Sequence, residues 1–173
     1  MIVRSIFATI VYMSRVGTVA GGHKADPQAA PDLFDDFSFL LARANALSLA
    51  AGNAALSLHG LRVRSYSVLA LAAGSRQPTQ RELAELLRLD PSQVVALVDD
   101  LQKRGLVTRK PNPSDRRVNV VVATDDGRAA YGAASRSVAA AQDAQLLDTF
   151  SGSERTQLAE LLRRLAFPES GAA

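Results

Sequence analysis

Asp115, Arg116 and Arg117 stand together in the stretch Lys110–Gly127, KPNPSDRRVNVVVATDDG, behind a turn rich in Pro, Asn and Ser. Asp115 and Arg117 are two positions apart, so their side chains share a face if a strand begins there. The carboxylate can then orient the guanidinium through a charge-assisted hydrogen bond. An oriented guanidinium suits a polyanion, and the narrow minor groove of duplex DNA draws arginine in. The competing reading is that Asp115 only caps the turn and both arginines are solvated.

The neighbourhood is basic. From Lys103 to Arg117 there are six basic residues (Lys103, Arg104, Arg109, Lys110, Arg116, Arg117) and one acid, a local net charge of +5. The whole 173-residue chain carries only +3, so the remainder sums to −2. Such a patch points to a polyanion more than a mild overall charge does. A solvated charged loop is the plainer alternative, and the surrounding elements must decide.

Other chemistries find little support. The absence of cysteine removes disulfides, thiolate metal sites, Cys nucleophiles and thiol redox sensing. His23 and His59 lie far apart, with no metal-ligand spacing. Asp99–Asp100 and Asp125–Asp126 are adjacent pairs that diverge on a helix. With no nucleophile–base pair and no phosphate-cradling Gly loop, an enzyme is the least favoured reading, and no cofactor or metal is expected.

The elements around the basic turn are legible. From Leu33 a helical pattern sets in, with Phe37, Leu40, Ala44, Leu47, Ala51, Ala54 and Leu58 at spacings of three and four, running to about Leu58. Ser65–Ala73 is a shorter apolar helix closed by Gly74. Thr79–Glu82 is a capping box that opens a helix to Leu87. After a three-residue turn, Asp90 at N-cap and Pro91 at N1 open a second helix, Pro91–Arg104, with Gly105 past its end. These two helices form a helix-turn-helix, with Val94, Leu97, Val98 and Leu101 underneath and Ser92, Gln93, Ala96, Asp100 and Lys103 outside. Leu106–Lys110 and Val118–Ala123 read as strands of a hairpin, a wing. Thr124 caps a long helix from Asp125 to about Phe150. Ser151–Glu154 is another capping box and opens a last helix with Leu158, Leu161, Leu162 and Leu165 on one stripe.

In that order, the residues LVDDLQKRGLVTRKPNPSDRRVNVVVATDDGRA (Leu97–Ala129) resemble the MarR family of bacterial transcription regulators. The matching features are the recognition-helix end, the Gly-Leu-Val junction, the Asp-x-Arg wing and the helix-opening Thr-x-x-Gly. The resemblance extends over about Leu33–Phe167. It implies a mainly α fold with a small β-hairpin wing (α+β), a winged helix-turn-helix between N- and C-terminal dimerisation helices. It also implies a cytoplasmic homodimeric DNA-binding regulator, a repressor by analogy, reading a pseudo-palindromic operator in duplex DNA.

Residue by residue, the resemblance gives Arg117 the groove-inserting position and Arg116 a phosphate contact. Arg109 is a further candidate DNA contact, and at Lys103, at the far end of the second helix, only phosphate or solvent is expected. Ser92 and Gln93 can hydrogen-bond base edges from the start of the second helix. Val95 and Ala96 stand where many members have a hydroxyl residue followed by Arg; they can touch thymine methyls but offer no bidentate guanine readout. Core packing is the rival reading for Val95. Thr79 and Gln80 open the first helix, where backbone N–H groups can bind phosphate; plain capping is the alternative. Many members bind small aromatic or phenolic anions, for which His59, Arg62 and Tyr66 are the candidates here. Arg62 replaces the Thr that commonly caps the next helix, and His59 and Tyr66 also suit a core or junction role.

The expected organisation is a flexible extension over 1–31, a dimerisation helix over 32–62, the DNA-binding lobe over 63–124, C-terminal dimerisation helices over 125–168 and a tail over 169–173. Ile6–Met13 is apolar but too short to span a bilayer, and Ser14 and Arg15 interrupt its faint likeness to a signal peptide. One hypothesis takes Met13 as the native start, and no membrane partner is expected. A winged-helix module that grips a protein partner instead of DNA is the alternative function.

Overall fold

The computed structural model describes Asp32–Pro168. The expectations for 1–31, for a start at Met13 and for 169–173 lie outside the described residues. After a short 3-10 turn at Leu33–Asp35 come α1 (Phe37–Ser57), α2 (Val63–Ala73), α3 (Gln80–Leu87), α4 (Pro91–Lys103), β1 (Val107–Pro111), β2 (Asn119–Ala123), α5 (Asp125–Gln145) and α6 (Gly152–Ala166). This is the mainly helical arrangement with one hairpin that the sequence implies. The chain divides into two compact units, Met1–Ala46 and Leu47–Ala173. The division falls inside α1.

In the first unit, Phe34 meets Phe39 edge to face, with ring centroids 6.0 Å apart. Phe37 and Leu40 are exposed. Among the described helices, α1 is long and apolar enough to cross a membrane by length and composition.

The second unit holds the core. Leu56, Leu61, Val68, Leu69, Leu83, Val94, Val98, Leu101, Val107 and Val121 are its fully buried large side chains. They come from α1, the α1–α2 junction, α2, the helix-turn-helix and the hairpin, so one apolar cluster fixes α4 against its supports. Burial of side chains of this size stabilises by about 1.5–3 kcal/mol each before chain entropy is counted.

Local signals set the element ends. Thr79 accepts from the Glu82 N–H at 3.2 Å while Glu82 accepts from the Thr79 N–H at 2.7 Å, the reciprocal cap expected for α3. Arg88 ends that helix in the left-handed region, at φ 51°. Gly105, at φ +71°, closes α4 as expected. There the Leu106 N–H bonds to the Leu101 carbonyl at 2.9 Å and the Gly105 N–H to Gln102 at 2.9 Å.

The hairpin is antiparallel, with Val107 opposite Ala123 and Pro111 opposite Asn119. On its far edge, the Val121 N–H bonds to the Pro78 carbonyl at 2.8 Å and Thr79 bridges Val120. The chain entering α3 therefore covers an otherwise open edge. At the α5 start, Thr124 Oγ1 donates to the Gly105 carbonyl at 2.7 Å and accepts from the Gly127 N–H at 3.0 Å. A Cβ on Gly127 would sit 1.9 Å from the Leu106 carbonyl oxygen, so that contact admits only glycine.

Two helix limits differ from expectation. α2 begins at Val63 rather than Ser65. A guanidinium has no acceptor and cannot cap, so neighbours do the work: Ser65 Oγ accepts from the Arg62 N–H at 3.0 Å, and Asn53 Oδ1 from the Val63 N–H at 3.0 Å. α5 ends at Gln145 rather than Phe150. Arg155 of α6 stabilises the break, donating to the Leu147 carbonyl at 2.7 Å, the Phe150 carbonyl at 3.1 Å and Asp143 at 2.8 Å.

Candidate nucleic-acid interface and effector site

α4 presents two faces. Val94, Val98 and Leu101 are fully buried, with Leu97 half-buried, whereas Ser92, Gln93, Ala96, Asp100 and Lys103 are exposed. Val95 is 41% exposed, which removes the core reading for it. The N-terminal half of that face thus offers one hydroxyl, one amide and two small apolar groups, with the Asp100 carboxylate and the Lys103 ammonium beyond them. Asp90 caps α4 by accepting from the Ser92 N–H at 2.8 Å and from the Ser92 hydroxyl at 2.5 Å. The hydroxyl bond, then the backbone bond, hold the Asp90 carboxyl below the ordinary carboxylate range. Ser92 is therefore left as an acceptor toward a partner. Gln93 is exposed and makes no side-chain bond among the described residues.

The wing tip departs from expectation. Asp115 and Arg117 lie in the loop between the strands, not on β2. Asp115 Oδ1 accepts from the backbone N–H of Arg117 at 3.0 Å and makes no ion pair with its guanidinium. Asp115 thus tightens the turn, as the competing reading held, while Arg116 and Arg117 remain exposed and unpaired among the described residues.

Arg109, a candidate DNA contact, is instead engaged by protein partners. Its side chain is 25% exposed, and it pairs with Asp99 at 2.6 Å. It also donates to Gln80 Oε1 at 2.7 Å and to Gln102 Oε1 at 2.7 Å. One guanidinium therefore joins β1, the start of α3 and α4. Sequence reasoning missed Asp99 and Gln102. Their distance along the chain from Arg109 gives no local signal.

Thr79 is occupied by its cap, donating from its hydroxyl to Glu82 at 2.8 Å. Backbone and then side-chain bonds from Thr79 lower the Glu82 pKa, so a carboxylate already sits at the α3 N-terminus. Lys103 is exposed at the far end of α4.

Around the α1–α2 junction, His59 Nε2 lies 2.9 Å from Ser137 Oγ of α5. Tyr66 stacks on Tyr131, also of α5, at 5.6 Å between centroids. Arg62 and Arg64 are exposed, with no ion pair among the described residues. Arg104, from the end of the recognition helix, donates to the Gly60 carbonyl at 2.9 Å. The junction and α4 are thus directly bonded, a link the sequence did not reveal. An open cleft of about 800 Å³ lies elsewhere, between α3 and Ala166–Pro168. It is lined by Arg76 and Arg88 but equally by Glu82 and Glu85, which gives an anion no net attraction.

Comparison with known proteins places this geometry. The sequence profile of the MarR family matches residues 59–118. A putative transcriptional regulatory protein for the hcr operon of Thauera aromatica is 32% identical over 100 residues, covering 58% of this chain and 60% of that protein. The chain thus spans about 60% of that curated relative's length. CouR from Rhodococcus jostii RHA1, solved with p-coumaroyl-CoA, is 43% identical over 80% of this chain and 97% of its own, with a TM-score of 0.73. A MarR-family transcriptional regulator from Rhodococcus sp. RHA1 is 41% identical over 80% and 98%, with a TM-score of 0.75. The repressor CouR bound to a 23-mer DNA duplex is 29% identical over 78% and 94%, with a TM-score of 0.70.

Proposed function

This chain belongs to the MarR family of transcription regulators, and on that premise we propose that it is a cytoplasmic homodimeric repressor, not an enzyme, that leaves its operator when an aromatic effector binds. The observation that carries the reading is the exposed face of α4, held from beneath by Val94, Val98 and Leu101, beside a wing whose Arg116 and Arg117 are unpaired. An α-helix fits the major groove of B-DNA, and a basic wing fits the flanking minor groove. Base recognition through Ser92, Gln93, Val95 and Ala96 involves no arginine. Shape readout by the wing then carries much of the specificity.

Exposed apolar residues support the dimer. Leu40 and Leu47 on α1 and Leu161, Leu162 and Leu165 on α6 are each about half exposed in one chain. A second copy, rather than lipid, covers them in this reading. Residues 32–62 and 125–168 then serve dimerisation, and 63–124 serve DNA binding.

For the effector, the relative solved with p-coumaroyl-CoA suggests an aromatic acyl thioester of coenzyme A. Such a ligand has an aromatic head and an anionic tail. Tyr66 and Tyr131 offer aromatic surface to the head, His59 at the same junction is a further candidate, and the exposed Arg62 and Arg64 at the start of α2 suit phosphate. The test titrates p-coumaroyl-CoA, coenzyme A and p-coumarate against a protein–operator complex. Release by the thioester alone at matched concentration is expected. Release by p-coumarate alone would make the effector a free aromatic anion, and no release by any of them would remove this effector class. A chain that binds no duplex DNA at low salt would instead favour the protein-partner reading, for which exposed Val95 and Ala96 give the surface.

A further inference from the structure

We propose that Arg109 is a positioning residue for DNA binding, which turns the Gln80 amide so that its NH2 group donates to a backbone phosphate. The inference rests on the DNA-binding reading above and deepens it. A guanidinium has donors only. Gln80 must therefore face Arg109 with Oε1, as the 2.7 Å bond shows, and its Nε2 must face the other way. Nε2 has no partner among the described residues, and no buried side-chain nitrogen or oxygen there lacks one, so it reaches solvent. The amide is fixed at one end and open as a double donor at the other.

Its place in the fold suits a phosphate. Gln80 is the first residue of α3, and in helix-turn-helix docking the first helix crosses the DNA backbone while the second enters the groove. The cap occupies the N–H groups of Thr79 and Glu82 and the Thr79 hydroxyl, so a side-chain donor from Gln80 adds to what that helix end offers a phosphate. Arg109 itself is spent on three acceptors, Gln80, Gln102 and Asp99, and the Asp99 carboxylate neutralises its charge. It therefore influences DNA through Gln80 rather than by touching phosphate. Because the contact is to the backbone, it contributes equally on any sequence.

The experiment measures affinity of the full chain for operator and for scrambled duplex, with Q80A, Q80E, R109K and the Q80A/R109K double variant. R109K keeps the charge, but one ammonium nitrogen cannot span the three acceptors that the guanidinium reaches with three separate nitrogens. Q80E keeps the acceptor for Arg109 and loses the donor. Q80A and R109K should each weaken binding about tenfold on both duplexes, the scale of one lost hydrogen bond per subunit. The double variant should be no weaker than the weaker single variant. Q80E should melt no lower than the parent yet bind less tightly. Additive losses in the double variant, or R109K binding like the parent, would overturn the proposal. Should R109K fail to fold, Q80E binding as tightly as the parent overturns it. A parent chain that binds neither duplex removes the DNA reading itself, and this proposal with it.

Discussion

Replacing Asp115 by Asn and by Ala separates two ways in which an aspartate can support a wing. In the structure Asp115 Oδ1 accepts from the Arg117 N–H at 3.0 Å and leaves the guanidinium alone. Asn retains an oxygen acceptor at that position and Ala does not. The bond is exposed, so its loss costs toward the lower end of the usual range, about 0.5–1 kcal/mol per wing. A dimer uses two wings, giving about 1–2 kcal/mol, or roughly fivefold to thirtyfold in operator affinity. Asp115→Ala should show that loss. Asp115→Asn should bind as tightly as the parent or more tightly, because it keeps the turn and removes an anion beside phosphate. Fluorescence anisotropy on labelled operator at two salt concentrations measures both. If Asp115→Asn loses as much as Asp115→Ala, the carboxylate acts through its charge on the Arg117 guanidinium, and backbone bracing is wrong.

Further outcomes follow from the packing. Gly127→Ala should destabilise by about 1–3 kcal/mol through collision with the Leu106 carbonyl, seen as a lower denaturant midpoint; an unchanged midpoint would mean that the junction yields freely. Deleting Ser151–Ala173 should leave apolar stripes uncovered and give aggregate or unfolded chain; a compact, soluble monomer in light scattering would contradict the shared-helix dimer. Glu82, Asp90 and Glu154 have folded pKa values lowered by their cap bonds, so their stabilisation is present above the ordinary carboxylate range and lost as pH falls through the lowered values. Thermal midpoints should therefore fall on acidification, and less so when all three are replaced by their amides; identical pH profiles would show that the caps do not matter.

Much of the lobe could be read from the sequence because its signals are local. Capping boxes at Thr79 and Ser151, the Asp90–Pro91 start and Gly105 each act within a few residues, and each appears where the pattern put it. The roles of charged side chains were harder, because they depend on partners distant in the chain. Arg109 looks like a free cation until Asp99 and Gln80 are brought beside it. Arg104 looks like a solvated helix end until the Gly60 carbonyl arrives 44 positions away. Asp115 bonds the Arg117 backbone N–H from the wing loop, and spacing alone cannot tell that donor from a guanidinium. The early end of α5 had the same cause, because Arg155 satisfies the carbonyls of a break that helical periodicity does not forbid.

In the proposed function, one dimer reads duplex DNA through two copies of α4 and the wing. Incubating the purified full chain with a random-sequence duplex library and sequencing the retained fragments tests it most directly. An enriched pseudo-palindrome is expected, with half-site centres about one helical turn, or roughly 10 base pairs, apart, and A·T preference where the wings fall. Retention without any enriched motif, or a single unpaired half-site, would contradict it.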